Sequence, residues 1–311
     1  MAEPLRHSNL SSRMTAGGRS PRGAYYMISS ALCFSLMALL VKELKPSFDF
    51  FELVFARSLF GLVFTLVLII KNRVSILGND RKSLLRRGLF GFLGLVTYFF
   101  AIQHLDSLGD AVMLTYTNPI FVALLAPFML KEKARPVRFL IILLSFAGML
   151  MIVKPDFELN SVFSLIGLSS GIFTALAYIY IRKATASDSS LTIMLYLPLV
   201  SVAVTGPYVL VKSGVSAVLG SFAWITWEEL LLLLAVGLLS TVAQLFLTVG
   251  FKYETASRAT IYNYTAPVFA MALDLVIYLN RPDIWSFVGS AIIILSAIVI
   301  ANLRERKRTG S

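Results

Sequence analysis

The sequence predicts an all-α integral membrane protein of ten transmembrane helices, built as two inverted five-helix repeats with both termini cytoplasmic. Three observations predict it. Ten apolar runs of near-membrane length alternate with charged connections, lysines and arginines crowd every second connection, and the pattern of the first half returns in the second. Composition agrees. Hydrophobic residues are 57% and charged residues 14% of the 311, against roughly 45–50% and 25% in soluble domains, so polar surface is too scarce to coat a body in water.

A hydrocarbon core about 30 Å thick takes roughly 20 helical residues at about 1.5 Å each. Such runs lie near 24–42, 50–70, 87–105, 109–130, 136–153, 161–181, 189–211, 230–251, 257–279 and 283–303, and only Arg57 and Asp274 carry formal charge well inside one. The first run follows a basic, Ser-rich tail (1–23), but its 18 uncharged residues exceed a usual signal-peptide core and no small-x-small cleavage site follows, so it reads as a retained helix. Ser213–Trp227 is uncharged yet too short to cross, and with Trp224 and Trp227 it reads as an interfacial or re-entrant loop. The halves divide as 24–154 and 155–303, and a second basic tail (304–311) ends the chain.

Of the 28 lysines and arginines, 22 fall in the two tails and the even-numbered loops, Arg86 and Arg87 among them; five fall in the odd-numbered loops, and Arg57 lies within a span. That asymmetry places the tails and even loops in the cytoplasm, makes a plasma membrane the expected location (the inner membrane in a bacterium), and assigns the net charge of +11 to topology and anionic headgroups, not to nucleic acid. On this topology neither Asn9-Leu10-Ser11 nor Asn263-Tyr264-Thr265 is a glycosylation site.

Sliding the chain on itself by 148 residues sets "LTYTNPIF" (Leu114–Phe121) against "YNYTAPVF" (Tyr262–Phe269), so that Tyr116, Thr117, Pro119 and Phe121 meet Tyr264, Thr265, Pro267 and Phe269. A shift of 140 sets the first span against the sixth, with Leu36 and Val41 opposite Leu176 and Ile181. Five crossings are an odd number, so the second copy enters from the opposite side, the architecture of alternating-access transporters.

With "SLGDAVMLTYTNPIFVALLAPFMLKEK" in the fourth span, "ASRATIYNYTAPVFAMALDL" in the ninth and "FARSLFG" in the second, the chain resembles the EamA-type transporters of the drug/metabolite transporter superfamily over nearly all of its length outside the tails. The resemblance implies the third, fourth, eighth and ninth helices around a central cavity, and a secondary transporter of small metabolites: an exporter of amino acids or related amphipathic compounds, with uptake of S-adenosylmethionine, choline or riboflavin as the alternative. An integral membrane enzyme or a non-transporting scaffold is a weaker reading, because the paired acids Asp106/Asp110 and Glu228/Glu229 sit at loop edges without His or cationic partners.

Pro119 and Pro267 each lack a backbone donor and release the carbonyl one turn earlier, so each is expected to kink its span at mid-membrane and act as a hinge, with Thr115 and Thr117, or Asn263 and Thr265, satisfying the freed groups. Arg57 lies about seven residues, ~10 Å, into its helix, and Asp274 about five residues from the matching end of the ninth span. Equal depth suggests an ion pair; a grip on a substrate carboxylate and a snorkelling side chain are the other readings of Arg57. Asn263, Pro267 and Asp274 share one face of the ninth span, and Thr115, Asn118 and Pro119 the matching face of the fourth. Tyr98, Gln103, Tyr178 and Gln244 add hydrogen-bonding groups, and Tyr116, Tyr262 and Tyr264 aromatic walls, although ordinary helix packing competes for each.

Gly88, Gly91 and Gly94 are expected to admit a neighbouring helix closely. "GLSSG" (Gly167–Gly171) fits a hydrolase pattern by letters only, since it lies in an apolar helix. Two histidines and one cysteine leave no His-based metal site and no internal disulfide, and no phosphate-binding loop is present, so neither cofactor nor metal is expected. The expected partners are a small-molecule metabolite and the lipid bilayer, with a homodimer left open.

Overall fold

Each span is helical because lipid offers its backbone no hydrogen bonds. The computed structural model describes residues 22–44, 50–105, 108–157, 162–213 and 226–303. These form α1 (Arg22–Leu44), α2 (Phe50–Lys71), α3 (Arg81–His104), α4 (Leu108–Thr115), α5 (Asn118–Met129), α6 (Pro136–Val153), α7 (Val162–Ala184), α8 (Ser190–Ser213), α9 (Trp227–Tyr253), α10 (Ala256–Tyr262), α11 (Thr265–Tyr278) and α12 (Ile284–Asn302). Ten stretches are long and apolar enough to cross a membrane, because α4 with α5, and α10 with α11, each make one broken span. The tails and most of the Ser213–Trp227 loop lie outside the described residues.

Local sequence sets the ends. Asp80 accepts from Ser83 N–H to start α3, Thr226 and Glu229 form a reciprocal capping box on α9, and Pro136 opens α6, where its missing N–H costs nothing. Apolar side chains such as Val63, Val67 and Ile70 on α2 remain exposed along one helical stripe, as a lipid-facing surface requires.

The duplication is visible in the packing. α3 lies along α7 as α9 lies along α1, α2 meets α9 as α8 meets α3, and α5 rests on α7 as α11 rests on α1; α2 with α8 and α6 with α12 pair across the pseudo-twofold. At the last of these the backbones touch: a Cβ built on Gly289 would lie 2.4 Å from Gly148 O, and one on Gly148 2.8 Å from Gly289 O.

The half of the molecule that carries Arg22 and Asn302, here the basic face, holds Met27, Leu84, Ile181, Phe251, Ala256 and Ile300 of the larger apolar cluster, which continues to the breaks at Tyr262 and Tyr264, and a cavity of about 260 Å³ opens on this face beside Glu132, Arg135, Arg138 and Ser257. Toward the opposite face the smaller cluster comprises Leu44, Leu53, Leu233 and Val236.

On the opposite face, α6 ends at Lys154 in a left-handed cap, and Lys154 Nζ meets Asp283 Oδ2 at 2.7 Å. Asp283 Oδ1 in turn accepts from Ser286 N and Oγ at 3.1 and 2.7 Å, capping α12. The Lys154 bond first, and then those from Ser286, hold the carboxyl down at about 2 from its ordinary 3.8. A depressed folded-state value means stabilisation that is complete above pH ~4 and lost as pH falls toward ~2. The thermal stability advantage of the wild type over Asp283→Asn is therefore expected to hold steady from pH 7 to 5, shrink below pH 4, and shrink with added salt because both groups are exposed. A gap unchanged down to pH 2 would remove the carboxylate from this role.

Candidate functional site

The two broken spans cross at the centre of the molecule. In the fourth span the helix stops at Thr115 and restarts at Asn118; in the ninth it stops at Tyr262 and restarts at Thr265. A simple kink at each proline was expected, but Pro119 and Pro267 instead sit in the first turn of new helices, α5 and α11, where a proline is well tolerated. The breaks lie two to four residues earlier and are stabilised alike. Thr117 Oγ1 donates back to Leu114 O at 2.5 Å, and its repeat partner Thr265 donates to Tyr262 O at 2.6 Å. The carbonyls freed by the prolines are also satisfied: Thr115 O accepts from Asn118 Nδ2 at 2.9 Å, and Asn263 O from Ala266 N–H at 3.1 Å.

Repeat equivalents also touch one another. Tyr264 Oη donates to Tyr116 O at 3.1 Å, with the two rings 6.2 Å apart. α7 seats the break of the fourth span through its small residues: Ser170 Oγ bonds Thr115 Oγ1 at 2.5 Å, and a Cβ on Gly171 would stand 2.2 Å from Thr117 Oγ1 and 2.8 Å from Leu114 O. The "GLSSG" stretch is thus a packing surface for the break.

Beside the break runs a polar tract. A cavity of about 20 Å³, room for roughly one water, is lined by Arg57, Ser58, Gly61 and Thr65 of α2, Met194, Leu197 and Pro198 of α8, and Ser240, Thr241 and Gln244 of α9. Gln244 Oε1 accepts from Arg87 Nη2 of α3 at 2.8 Å. Arg87 is 2% exposed, and its guanidinium lies over Gly91, where a Cβ would come within 2.5 Å of Nη1. Arg87 and Tyr178 are within electrostatic reach of each other, as are Tyr98 and Tyr178 with Tyr116.

The structure therefore gathers Arg57, Tyr98, Tyr116, Tyr178 and Gln244 along one tract. Asn118, Tyr262 and Asn263 stand at the breaks, where Asn118 Oδ1 and Asn263 Nδ2 are buried without hydrogen-bond partners among the described residues, and Tyr262 lies beside Arg258. Gln103 has no described side chain.

Asp274 is elsewhere. Its helix α11 packs on α1, α6 and α12, whereas α2 packs on α8 and α9, and Asp274 faces Tyr278, whose hydroxyl bonds Glu43. The Arg57–Asp274 ion pair expected from matching depth is not formed, because equal depth on helices packed to different neighbours brings no contact.

Arg87 is the residue that sequence reasoning missed. Counted as a loop charge, it lies inside α3, which begins at Arg81, six residues before the apolar run suggested. Gly88, Gly91 and Gly94 admit neighbouring helices as expected, with a Cβ on each coming within 2.5 Å of Tyr196 O, 3.0 Å of Leu197 Cδ1 and 3.1 Å of Thr174 N respectively, and Gly91 makes room for Arg87 as well.

Ten apolar spans in two interlocked halves, with two spans broken where they meet and a buried cationic tract beside them, define a multi-pass membrane transporter. Residues 21–154 and 162–302 each match the EamA-like transporter family, and the chain belongs to it; it is a transporter, not an enzyme. It is 31% identical over 284 residues to the pseudopaline exporter CntI of Pseudomonas aeruginosa, covering 91% of this chain and 97% of that one. To human solute carrier family 35 member G1 it is 26% identical over 307 residues, covering 91% and 79%. A crystal structure superposes with a TM-score of 0.77 at 19% identity, over 93% of this chain and all of that one, a likeness of fold alone.

Proposed function

We propose that this protein exports small carboxylate-bearing metabolites, amino acids or related amphipathic compounds, across the plasma membrane by alternating access, with both termini in the cytoplasm. The observation that carries the reading is the pair of symmetry-related breaks meeting at Tyr264 and Tyr116 beside a tract that holds Arg57, Arg87 and Gln244. Broken helices at membrane depth are tolerated where they line a site, and tyrosine faces together with arginine forks suit a ligand that is part apolar and part anionic.

The central cavity of about 20 Å³ is far below the ~300–1,000 Å³ of ligand-holding pockets. The two halves must move apart to admit cargo, and for export the basic side is the one that parts first. The export direction follows the exporter among the relatives, and the buried arginines weigh against a cationic cargo such as choline.

Reconstituted protein is expected to show saturable counterflow of at least one labelled member of a panel of amino acids and related carboxylates, reduced at least tenfold by Tyr264→Trp, which crowds the crossing. A panel with no flux in either direction would remove the transport cycle proposed here.

A further inference from the structure

Arg57 and Arg87 are two fixed positive charges that the tract leaves unneutralised. Among the described residues no carboxylate pairs with either; Arg87 donates to the neutral Gln244, and Arg87 Nε is buried with no hydrogen bond. Of the five N–H donors of a guanidinium, most on Arg87 are unused. Removing such a charge from water is costly unless something of opposite sign replaces the lost hydration.

Nor does Arg87 behave as a snorkelling side chain. From its position near the basic end of α3 the short route to the headgroups runs back toward Arg81, yet its guanidinium lies over Gly91, one turn deeper. Arg57 faces the same tract from α2, lining the cavity to which Gln244 belongs.

The two arginines approach from opposite faces. Arg57 is fourteen residues from Lys71 at the basic end of α2, and Arg87 six residues from Arg81 at the basic end of α3. Their backbones differ in depth by roughly 12 Å, at about 1.5 Å per residue, but Arg87 reaches one turn toward Arg57, the two charges are within electrostatic reach of each other, and Gln244 adjoins both. One carboxylate leaves one of these two charges unmatched. Two acid groups joined by a short chain match both, each meeting one planar fork.

We infer that the cargo of this site is an organic dianion, a metabolite with two separated carboxylates, one engaged by Arg57 and the other by Arg87, with Gln244 between them. This rests on the transport reading above and narrows its substrate class. A zwitterion with one carboxylate places its ammonium against an arginine, and the tract offers that ammonium no acid. The tyrosines Tyr98, Tyr116 and Tyr178 supply walls and hydroxyls but no charge to reverse the preference.

The test compares chain-matched acids on the purified full-length protein: succinate against butyrate, and glutarate against valerate, with glycine, inorganic phosphate and choline as further arms, reading thermal stabilisation over concentration. Each dianion is expected to reach half-maximal stabilisation at a concentration at least tenfold below its monoanion. Arg57→Gln and Arg87→Gln are each expected to weaken the dianion ~30-fold or more, as losing one member of a desolvated charge pair does, while barely moving the monoanion. Arg87→Lys is expected to recover part of the loss.

Dianions no better than their monoanions, or stabilisation confined to glycine or choline, overturns the inference. Stabilisation by phosphate without the dicarboxylates overturns it in favour of a single tetrahedral anion. If Arg87→Gln does not fold, the matched pairs on the wild type and Arg57→Gln still decide. Amino-acid counterflow without dianion preference would sink this inference and leave transport standing, whereas dianion binding without flux of any compound would sink the transport reading and with it the dianion as cargo.

Discussion

Replacing Glu132 with alanine is expected to unlatch the basic face. Glu132, in the turn between α5 and α6, accepts from Ala256 N–H with both oxygens at 3.0 and 3.1 Å, and lies 3.6 Å from Arg182 Nε. Arg182, at the end of α7, donates to Phe251 O and Lys252 O at 2.9 and 3.3 Å. The carboxylate thus meets the positive end of α10 and the guanidinium the negative end of α9, each a favourable match to the exposed backbone groups. One side chain of the first half so holds three elements of the second.

Removing a partner from a fully buried ion pair costs about 3–5 kcal/mol. The Arg182 side chain is 31% exposed, and that solvent screening reduces the expected loss to roughly 2 kcal/mol. If the latch holds the closed form, the same figure is a shift of about thirtyfold toward the open one. With Cys33, the single cysteine, changed to alanine, a Tyr262→Cys probe in the buried break should react correspondingly faster with a membrane-impermeant maleimide in Glu132→Ala, and Glu132→Gln should fall between. Equal labelling rates in all three would show that the face is closed by something else.

Gly289→Leu is expected to be the most damaging packing change. α6 and α12 meet backbone to backbone at Gly148 and Gly289, and the obstacle to a Cβ on Gly289 is the Gly148 carbonyl 2.4 Å away, which cannot turn aside as a side chain can. The two spans must separate along their length, at a cost of roughly 3 kcal/mol, the upper part of the range for forced overpacking. The readout is the apparent melting temperature in detergent, expected to fall by several degrees. Because this crossing lies apart from the residues lining the Arg57 cavity, the fraction that folds should keep the ligand response of the wild type. A melting temperature equal to the wild type would show that the helices do not touch there.

Much of this architecture is legible without coordinates. Lipid forces each crossing to be a helix of nearly fixed length, so counting apolar residues locates the ten spans. The 148-residue echo survives because Thr117 and Thr265 do the same work, donating back across equivalent breaks. The place of each break was less legible. Proline chemistry points to Thr115 and Asn263, where the carbonyls are freed, yet the chain chooses to start a new helix there, because Asn118 Nδ2 and Ala266 N–H are on hand to satisfy those carbonyls.

The arginines mark where sequence reading stops. Depth in the membrane is a one-dimensional quantity, and it placed Arg57 correctly inside its span; the direction a side chain faces around the helix depends on which neighbours that helix packs against. Arg57 and Asp274 share a depth but belong to helices with different neighbours, so they do not pair. Arg87 sits at a helix end rich in charge, where composition alone reads as loop, and only the gap left by Gly91 and the acceptor on Gln244 turn it inward. Residue order determined the spans and their duplication, since lipid acts on each segment separately; tertiary packing decided which polar groups face one another, since contacts between distant segments form only when the helices are assembled.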